Sequence, residues 1–136
     1  VKGMVAPIDI LEPGGDLLIV SQCAEGMGSR EYVDAQRRLL GLGMDGFMAD
    51  ISAKRFADID EWQTQMQLKP MRVGSVHLYS GDLDAASVGL TGVKKMDSVP
   101  DAIRASVARS GNRRVAVIPE GPYVVPTYVG EAAATG

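Results

Sequence analysis

The sequence predicts a single three-layer α/β domain with a mostly parallel, Rossmann-like sheet and helices on both faces. Apolar segments typical of buried strands alternate with amphipathic segments typical of covering helices. The first apolar segment ends in a glycine-containing turn that leads into a helix. The length of 136 residues suits one domain with one core. We therefore expect a βαβαβ order, because crossover helices connect parallel strands without tangling.

The N-terminal residues predict a short helix followed by a strand. Residues 5–12 are helix-like, with Pro7 tolerated only in a first turn, and the run Pro13-Gly14-Gly15 ends the segment. Residues 16–22 then form an apolar strand.

A second helix is expected over residues 29–42. Ser29 is a favourable N-cap, and Gly41 and Gly43 are expected to end the helix. Residues 44–57 fit a short helix or a packed loop equally well.

The middle of the chain predicts a helix and a second strand. Asp58 and Glu61 have the spacing of a capping box, so a helix is expected from Asp58 to Pro70. Residues 72–80 lack a clean alternation of apolar and polar residues, which favours a parallel strand buried on both faces.

The last third predicts a weak strand at 88–93, a helix capped by Ser98 and ended by Gly111, and a final core strand at 115–118. The C-terminal residues 131–136 are small and polar, so we expect a flexible tail after a domain spanning 1–130.

Composition narrows the classes of partner. The formal net charge of −3 and the isoelectric point near 5.1 argue against binding nucleic acid or an acidic membrane surface, which both require a basic face. No apolar run has the length of a membrane span. A single cysteine excludes an internal disulfide and is consistent with a cytoplasmic location. The start at Val1 suggests a fragment of a longer protein.

Three polar, glycine-bearing turns are expected at one edge of the sheet, where the carboxyl ends of parallel strands meet. The candidate residues of this edge are Glu25, Gly26, Gly28, Ser29, Asp82 and Glu120. The three carboxylates suit proton transfer or a magnesium ion, although acidic residues at strand ends more often cap helices and turns. The Gly26–Ser29 turn is a poor dinucleotide fingerprint, because it lacks a third glycine and the expected acidic residue.

Cysteine and histidine, a common nucleophile and base, are not expected to form a catalytic pair in this chain. Cys23 follows the first strand, but His77, the only histidine, lies inside a predicted strand. A lone histidine in an apolar strand is usually a hydrogen-bonded core residue.

Five segments in order resemble the C-terminal domain of nickel-dependent lactate racemases. They are Lys2-Gly3-Met4, Glu12-Pro13-Gly14-Gly15, Ser21 to Ser29, Glu61-Trp62-Gln63 and Val117 to Pro122. The resemblance implies a two-domain enzyme that racemises or epimerises lactate or a related 2-hydroxy acid. It further implies that a nickel-pincer nucleotide, derived from nicotinic acid mononucleotide, takes a hydride from the substrate to give a 2-keto acid and returns it to either face.

The resemblance assigns two residues of this chain to the site. Lys2 corresponds to a catalytic lysine beside substrate and cofactor, and Trp62 to an aromatic residue that flanks both. The nickel ligand, the cofactor-tethering lysine and the two histidine bases belong to the N-terminal domain, so no metal ligand is expected here and the chain alone should be inactive.

Two other functions compete with the racemase domain. A Rossmann-like module can hold a nucleotide or phosphate on the amide groups of a helix N-terminus after the glycine turn. A purely structural or assembly domain would show no binding at all.

Overall fold

The computed structural model describes residues 1–129, and the expected tail at 131–136 lies outside them. The helices are α1 (Lys2–Val5), α2 (Arg30–Ala53), α3 (Glu61–Val73), α4 (Ala85–Leu90) and α5 (Val99–Ser110). The strands are β1 (Asp16–Val20), β2 (Ser75–Tyr79) and β3 (Lys94–Lys95), and short 3-10 helices cover Ile8–Ile10 and Gly121–Tyr123.

The described strands form a parallel sheet in the order β1-β2-β3. Asp16 pairs with Ser75 and Val20 with Tyr79, so the carboxyl ends of β1 and β2 lie side by side. At the opposite end the two backbones approach so closely that a Cβ on Gly74 would clash with the carbonyl oxygen of Gly15. The α/β, Rossmann-like fold is therefore the one the sequence predicted.

Helices cover both faces of the sheet. Asp16 and His77 share one face, since alternate residues of a strand point to opposite sides, and α5 packs there through Arg109. Val76 points the other way and lines a small cavity with Met71 of α3. The core of this second layer contains Ala35, Leu39, Phe47 and Leu68.

Gly43 divides α2 into two helical stretches. Its φ of 71° and ψ of 174° are not helical, so the first stretch stops there as predicted and a second stretch runs on to Ala53 after a kink. Residues 44–53 adopt the helical alternative because their apolar face packs into the core, where Phe47 is fully buried.

Prolines change two boundaries. The expected helix at 5–12 is instead split into α1 and the 3-10 helix after Pro7, which has no N–H to continue the first helix. Helix α3 does not end at Pro70 as predicted. It continues to Val73 with Pro70 inside it, and β2 therefore begins only at Ser75.

Two predicted strands were wrong. Residues 88–90 end α4, because the Asp84 carboxylate accepts a hydrogen bond from Ser87 N–H at 2.7 Å and caps a helix that buries Val88, and residues 91–93 form a turn before β3. Residues 115–118 form no regular secondary structure and pair with no strand among the described residues. The third strand is the two-residue β3.

The helix capped by Ser98 and ended by Gly111 was predicted correctly. Ser98 Oγ accepts a hydrogen bond from Asp101 N–H at 3.3 Å, and Gly111 has a φ of 68°. Within residues 1–129, every helix is too short or too polar to cross a membrane.

Candidate functional site at the carboxyl edge of the sheet

The loops after β1 and β2 are joined to each other. Ser21 N–H donates to the carbonyl oxygen of Tyr79 at 3.0 Å, which extends the strand pairing by one bond. Ser80 Oγ donates to the carbonyl oxygen of Gln22 at 2.8 Å and accepts from Leu83 N–H at 3.3 Å. The two loops therefore form one continuous edge.

The turn after β1 uses left-handed backbone at three positions. Gly26 and Gly28 have φ values of 64° and 86°, and Cys23 has a φ of 54°. A Cβ on either glycine would meet no atom within 4 Å. The glycines thus serve the backbone conformation and not a close contact.

Ser29 connects the beginnings of two helices. Its hydroxyl oxygen accepts a hydrogen bond from Tyr32 N–H at 3.1 Å and caps α2. The same hydroxyl donates to Asp60 Oδ2 at 2.6 Å, immediately before α3. Trp62 lies in the first turn of α3 and is 56% exposed, so its ring is offered at this edge.

Lys2 lies at the first position of α1 and is exposed. Helix α1 packs against α3, β1 and the 3-10 helix Gly121–Tyr123. A Cβ on Gly3 would lie 4.0 Å from Pro122 Cγ. This packing brings the Pro119–Pro122 turn next to Lys2 although no strand precedes that turn.

The predicted acidic residues of the edge are separate and exposed. Glu25 follows β1, Asp82 follows β2, and Glu120 precedes a 3-10 helix with a left-handed φ of 55°. Across residues 1–129 no three side chains of His, Cys, Asp or Glu gather in a way that would hold a metal ion.

Cys23 and His77 face different partners. Cys23 Sγ donates a hydrogen bond to Ser21 Oγ at 3.4 Å. His77 Nε2 lies 3.2 Å from Asp16 Oδ1 on the face covered by α5, as predicted for a core histidine. Burial raises the pKa of Asp16, but hydrogen bonds from Ser106, Arg109 and His77 outweigh it and hold the pKa below its usual range.

The ion cluster around the buried carboxylate of Glu61, the residue before Trp62, was not predicted from the sequence. The Glu61 carboxylate accepts from Arg38 at 2.6 Å and from Lys54 at 2.8 Å, and its side chain is only 4% exposed. Burial raises the pKa of Glu61, but Lys54, Arg38 and the Asp58 N–H together lower it. The capping-box spacing predicted Asp58 as the N-cap and Glu61 as its partner. Asp58 N–H does donate to Glu61 Oε2 at 3.1 Å, but the N-cap is Asp60 and the helix begins only at Glu61, so the predicted cap was wrong.

A buried amide network fixes α3 against its neighbours. Gln67 Oε1 accepts from Tyr32 Oη at 3.2 Å, and Gln67 Nε2 donates to the Thr91 carbonyl at 2.6 Å, with the fully buried Gln36 amide packed between Tyr32, Thr64 and Gln67. Burial raises the pKa of Tyr32 to about 12. Polar residues on apolar helix faces are the only sequence signal of such a network.

One family model matches most of the chain. The family model described as "Lactate racemase C-terminal domain" matches residues 1–125. Among curated proteins, none matches the chain.

A solved structure shares the fold. The lactate racemase apoprotein from Thermoanaerobacterium thermosaccharolyticum is similar with a TM-score of 0.76 and 20% identity. The match covers 91% of this chain but only 30% of the racemase chain. The family match over residues 1–125 shows that the chain belongs to the lactate racemase C-terminal domain family.

Proposed function

We propose that this chain is the C-terminal domain of a nickel-pincer-dependent racemase or epimerase of lactate or a related 2-hydroxy acid. Family membership supports this proposal. The observation that carries it is the packing of α1 against α3, since the first turns of these two helices carry the residues proposed to face substrate, Lys2 and Trp62.

The proposal assigns the remaining parts of the site to a longer parent protein. The racemase with the same fold is about three times as long as the part matched here, because that part is 30% of its chain. The described residues offer no cluster of metal ligands. We therefore propose that the rest of the parent holds the nickel-pincer nucleotide, which supplies the hydride acceptor when bound, together with the acid and base groups.

Lys2 is proposed to bind the carboxylate of the substrate. Its side chain is exposed at the start of α1, so its ammonium can reach a ligand above the edge. An ammonium placed there stabilises the substrate carboxylate and the negative charge that develops on the substrate during reaction.

Trp62 is proposed to exclude water from the reacting α-carbon. The indole presents a large apolar surface at the same edge, and it is more than half exposed in this chain. Excluding water strengthens the electrostatic interactions of the site and suppresses side reactions with protons.

The glycine turn also suits the alternative of a phosphate-binding module, which remains a competing prediction. Two features count against it. Ser29 Oγ already accepts a hydrogen bond from Tyr32 N–H at the start of α2. The Asp60 carboxylate lies 2.6 Å from the same hydroxyl and would repel a second anion. Calorimetric titration of this chain with ATP and inorganic phosphate tests the alternative directly.

The test of the proposal is racemisation by the full-length parent, produced together with the enzymes that make the cofactor. We expect nickel in the purified parent and turnover of a 2-hydroxy acid, measured by chiral chromatography. Lys2→Ala should lower kcat/KM by about 100-fold or more, because a charged group facing the developing charge is lost.

Lys69→Ala is the matched control, because Lys69 is an exposed lysine on the side of α3. It should leave turnover unchanged. Full activity of Lys2→Ala would refute the role of Lys2. A folded, cofactor-supplied parent without nickel or turnover would refute the proposed function itself.

A further inference from the structure

The residues around Trp62 are held more firmly than its exposure suggests. Asp60 has a φ of 61° and a ψ of −1°, in the left-handed region that L-residues rarely adopt. A backbone of this kind persists only where surrounding contacts determine it. The start of α3 is therefore fixed by specific interactions.

Three hydrogen bonds hold Asp60 in this conformation. Its Oδ2 accepts from Ser29 Oγ at 2.6 Å, and its Oδ1 accepts from Gln63 Nε2 at 2.9 Å. Its carbonyl oxygen accepts from Gln63 N–H at 3.0 Å. The carboxylate thus joins the N-cap of α2 to the first turn of α3.

The residue between Asp60 and Trp62 is anchored as well. Glu61 is buried and binds Arg38, which lies in α2, and Lys54, which is the C-cap of α2. The two residues immediately before Trp62 are consequently both held in place, while the indole itself remains exposed. Such an arrangement presents a side chain in a set place without burying it.

We propose that Ser29 and Asp60 are positioning residues that fix Trp62 at the carboxyl edge of the sheet. We call the Ser29–Asp60 hydrogen bond the latch. This inference rests on the proposed function for the role of Trp62, and it extends that function to the glycine turn, which brings Ser29 to Asp60. The latch is formed before any substrate binds, so closing the site costs less ordering of this wall.

The latch predicts a measurable change in the motion of Trp62. Trp62 is the only tryptophan of the chain, so fluorescence anisotropy decay of the 136-residue chain reports on this ring alone. Ser29→Ala removes the donor to Asp60, and Asp60→Gly removes the carboxylate while keeping a left-handed backbone. Each variant should raise the amplitude of the fast, nanosecond component about two-fold.

Ser98→Ala is the matched control. Ser98 caps α5 through Asp101 N–H at 3.3 Å, so its loss weakens the start of a helix without touching Asp60. Asp60→Asn is the conservative variant, since asparagine tolerates a left-handed φ and keeps hydrogen-bonding groups. Both should leave the anisotropy decay as it is in the unaltered chain.

A second measurement separates the latch from the proposed function. In the active parent, Ser29→Ala should lower kcat/KM about tenfold through misplacement of Trp62, with Ser98→Ala within two-fold of the unaltered enzyme. Unchanged anisotropy in Ser29→Ala and Asp60→Gly, with both chains folded by circular dichroism, would overturn the latch. Changed anisotropy with an inactive parent would support the latch and refute the racemase function.

Discussion

Two regions of the molecule differ in which side chains they bury. One is the layer formed by α2 and α3, and the other is the C-terminal segment, residues 112–129. In the first, Phe47 is fully buried and even Glu61 is withdrawn from solvent. In the second, Val117 and Val125 are 81% and 85% exposed. Strand propensity depends on neighbours that cover a side chain, and the valines of the C-terminal segment have no paired strand within residues 1–129. An apolar segment is therefore buried only where a neighbouring helix or strand covers its side chains.

The largest expected effect concerns Glu61 in the α2–α3 layer. Glu61→Ala leaves Arg38 and Lys54 without the buried carboxylate that binds both. We expect a loss of about 3 kcal/mol in the free energy of unfolding, because the hydrogen bonds from Arg38, Lys54 and the Asp58 N–H to a charged group are lost together. Arg38 keeps Asp50 and Lys54 keeps Asp58, so neither cation is left without a partner. Urea unfolding followed by circular dichroism measures this loss.

The matched variant is Glu31→Ala, since Glu31 also lies in the first turn of a helix but is exposed. It should change the unfolding free energy by about 0.5 kcal/mol or less. Equal losses for the two variants would show that the ion pairs of Glu61 add no stability beyond that of any carboxylate in the first turn of a helix.

The next effect is a pH dependence from Tyr32 in the same layer. Burial raises the pKa of Tyr32 from 10.0 to about 12. The folded state therefore favours the protonated phenol, so this contribution is fully present below pH 10 and is lost as the pH rises towards 12. The difference between the two pKa values corresponds to about 2 to 3 kcal/mol.

Ultraviolet absorbance of tyrosinate measures the titration, and the difference from Tyr32→Phe isolates the Tyr32 contribution. The unfolding free energy of the unaltered chain should fall more steeply between pH 10 and 12 than that of Tyr32→Phe. A Tyr32 step at an ordinary tyrosine pKa would mean that the phenol is open to water and that the amide network is not closed.

The elements with strong local signals were predictable from the sequence. Strand β1 contains an apolar run after Asp16, and β2 buries Val76 and Leu78 at alternate positions. Ser29, Ser98 and Gly111 mark helix ends through side-chain or backbone chemistry that acts within a few residues. The interruption at Gly43 was also predicted, but the return to helix after it was not, because the packing of Phe47 into the core decides between helix and loop there.

The edge was only partly accessible to sequence reasoning. The turns after β1 and β2 were placed together because parallel strands share an edge. The Pro119–Pro122 turn reaches Lys2 through packing on α1, which no local pattern encodes. The bond from Ser29 to Asp60 spans 31 residues, and two common polar residues at that separation give no signal.

The smallest expected effect is in the C-terminal segment. Val117→Ala should change the unfolding free energy by less than about 0.5 kcal/mol, because an exposed side chain loses little contact on truncation. The same substitution at the buried Val76 of β2 should cost about 2 kcal/mol. Paired urea unfolding curves compare the two valines directly. A loss at Val117 as large as that at Val76 would mean that the C-terminal segment packs as a core strand in solution, and the contrast between the two regions would then disappear.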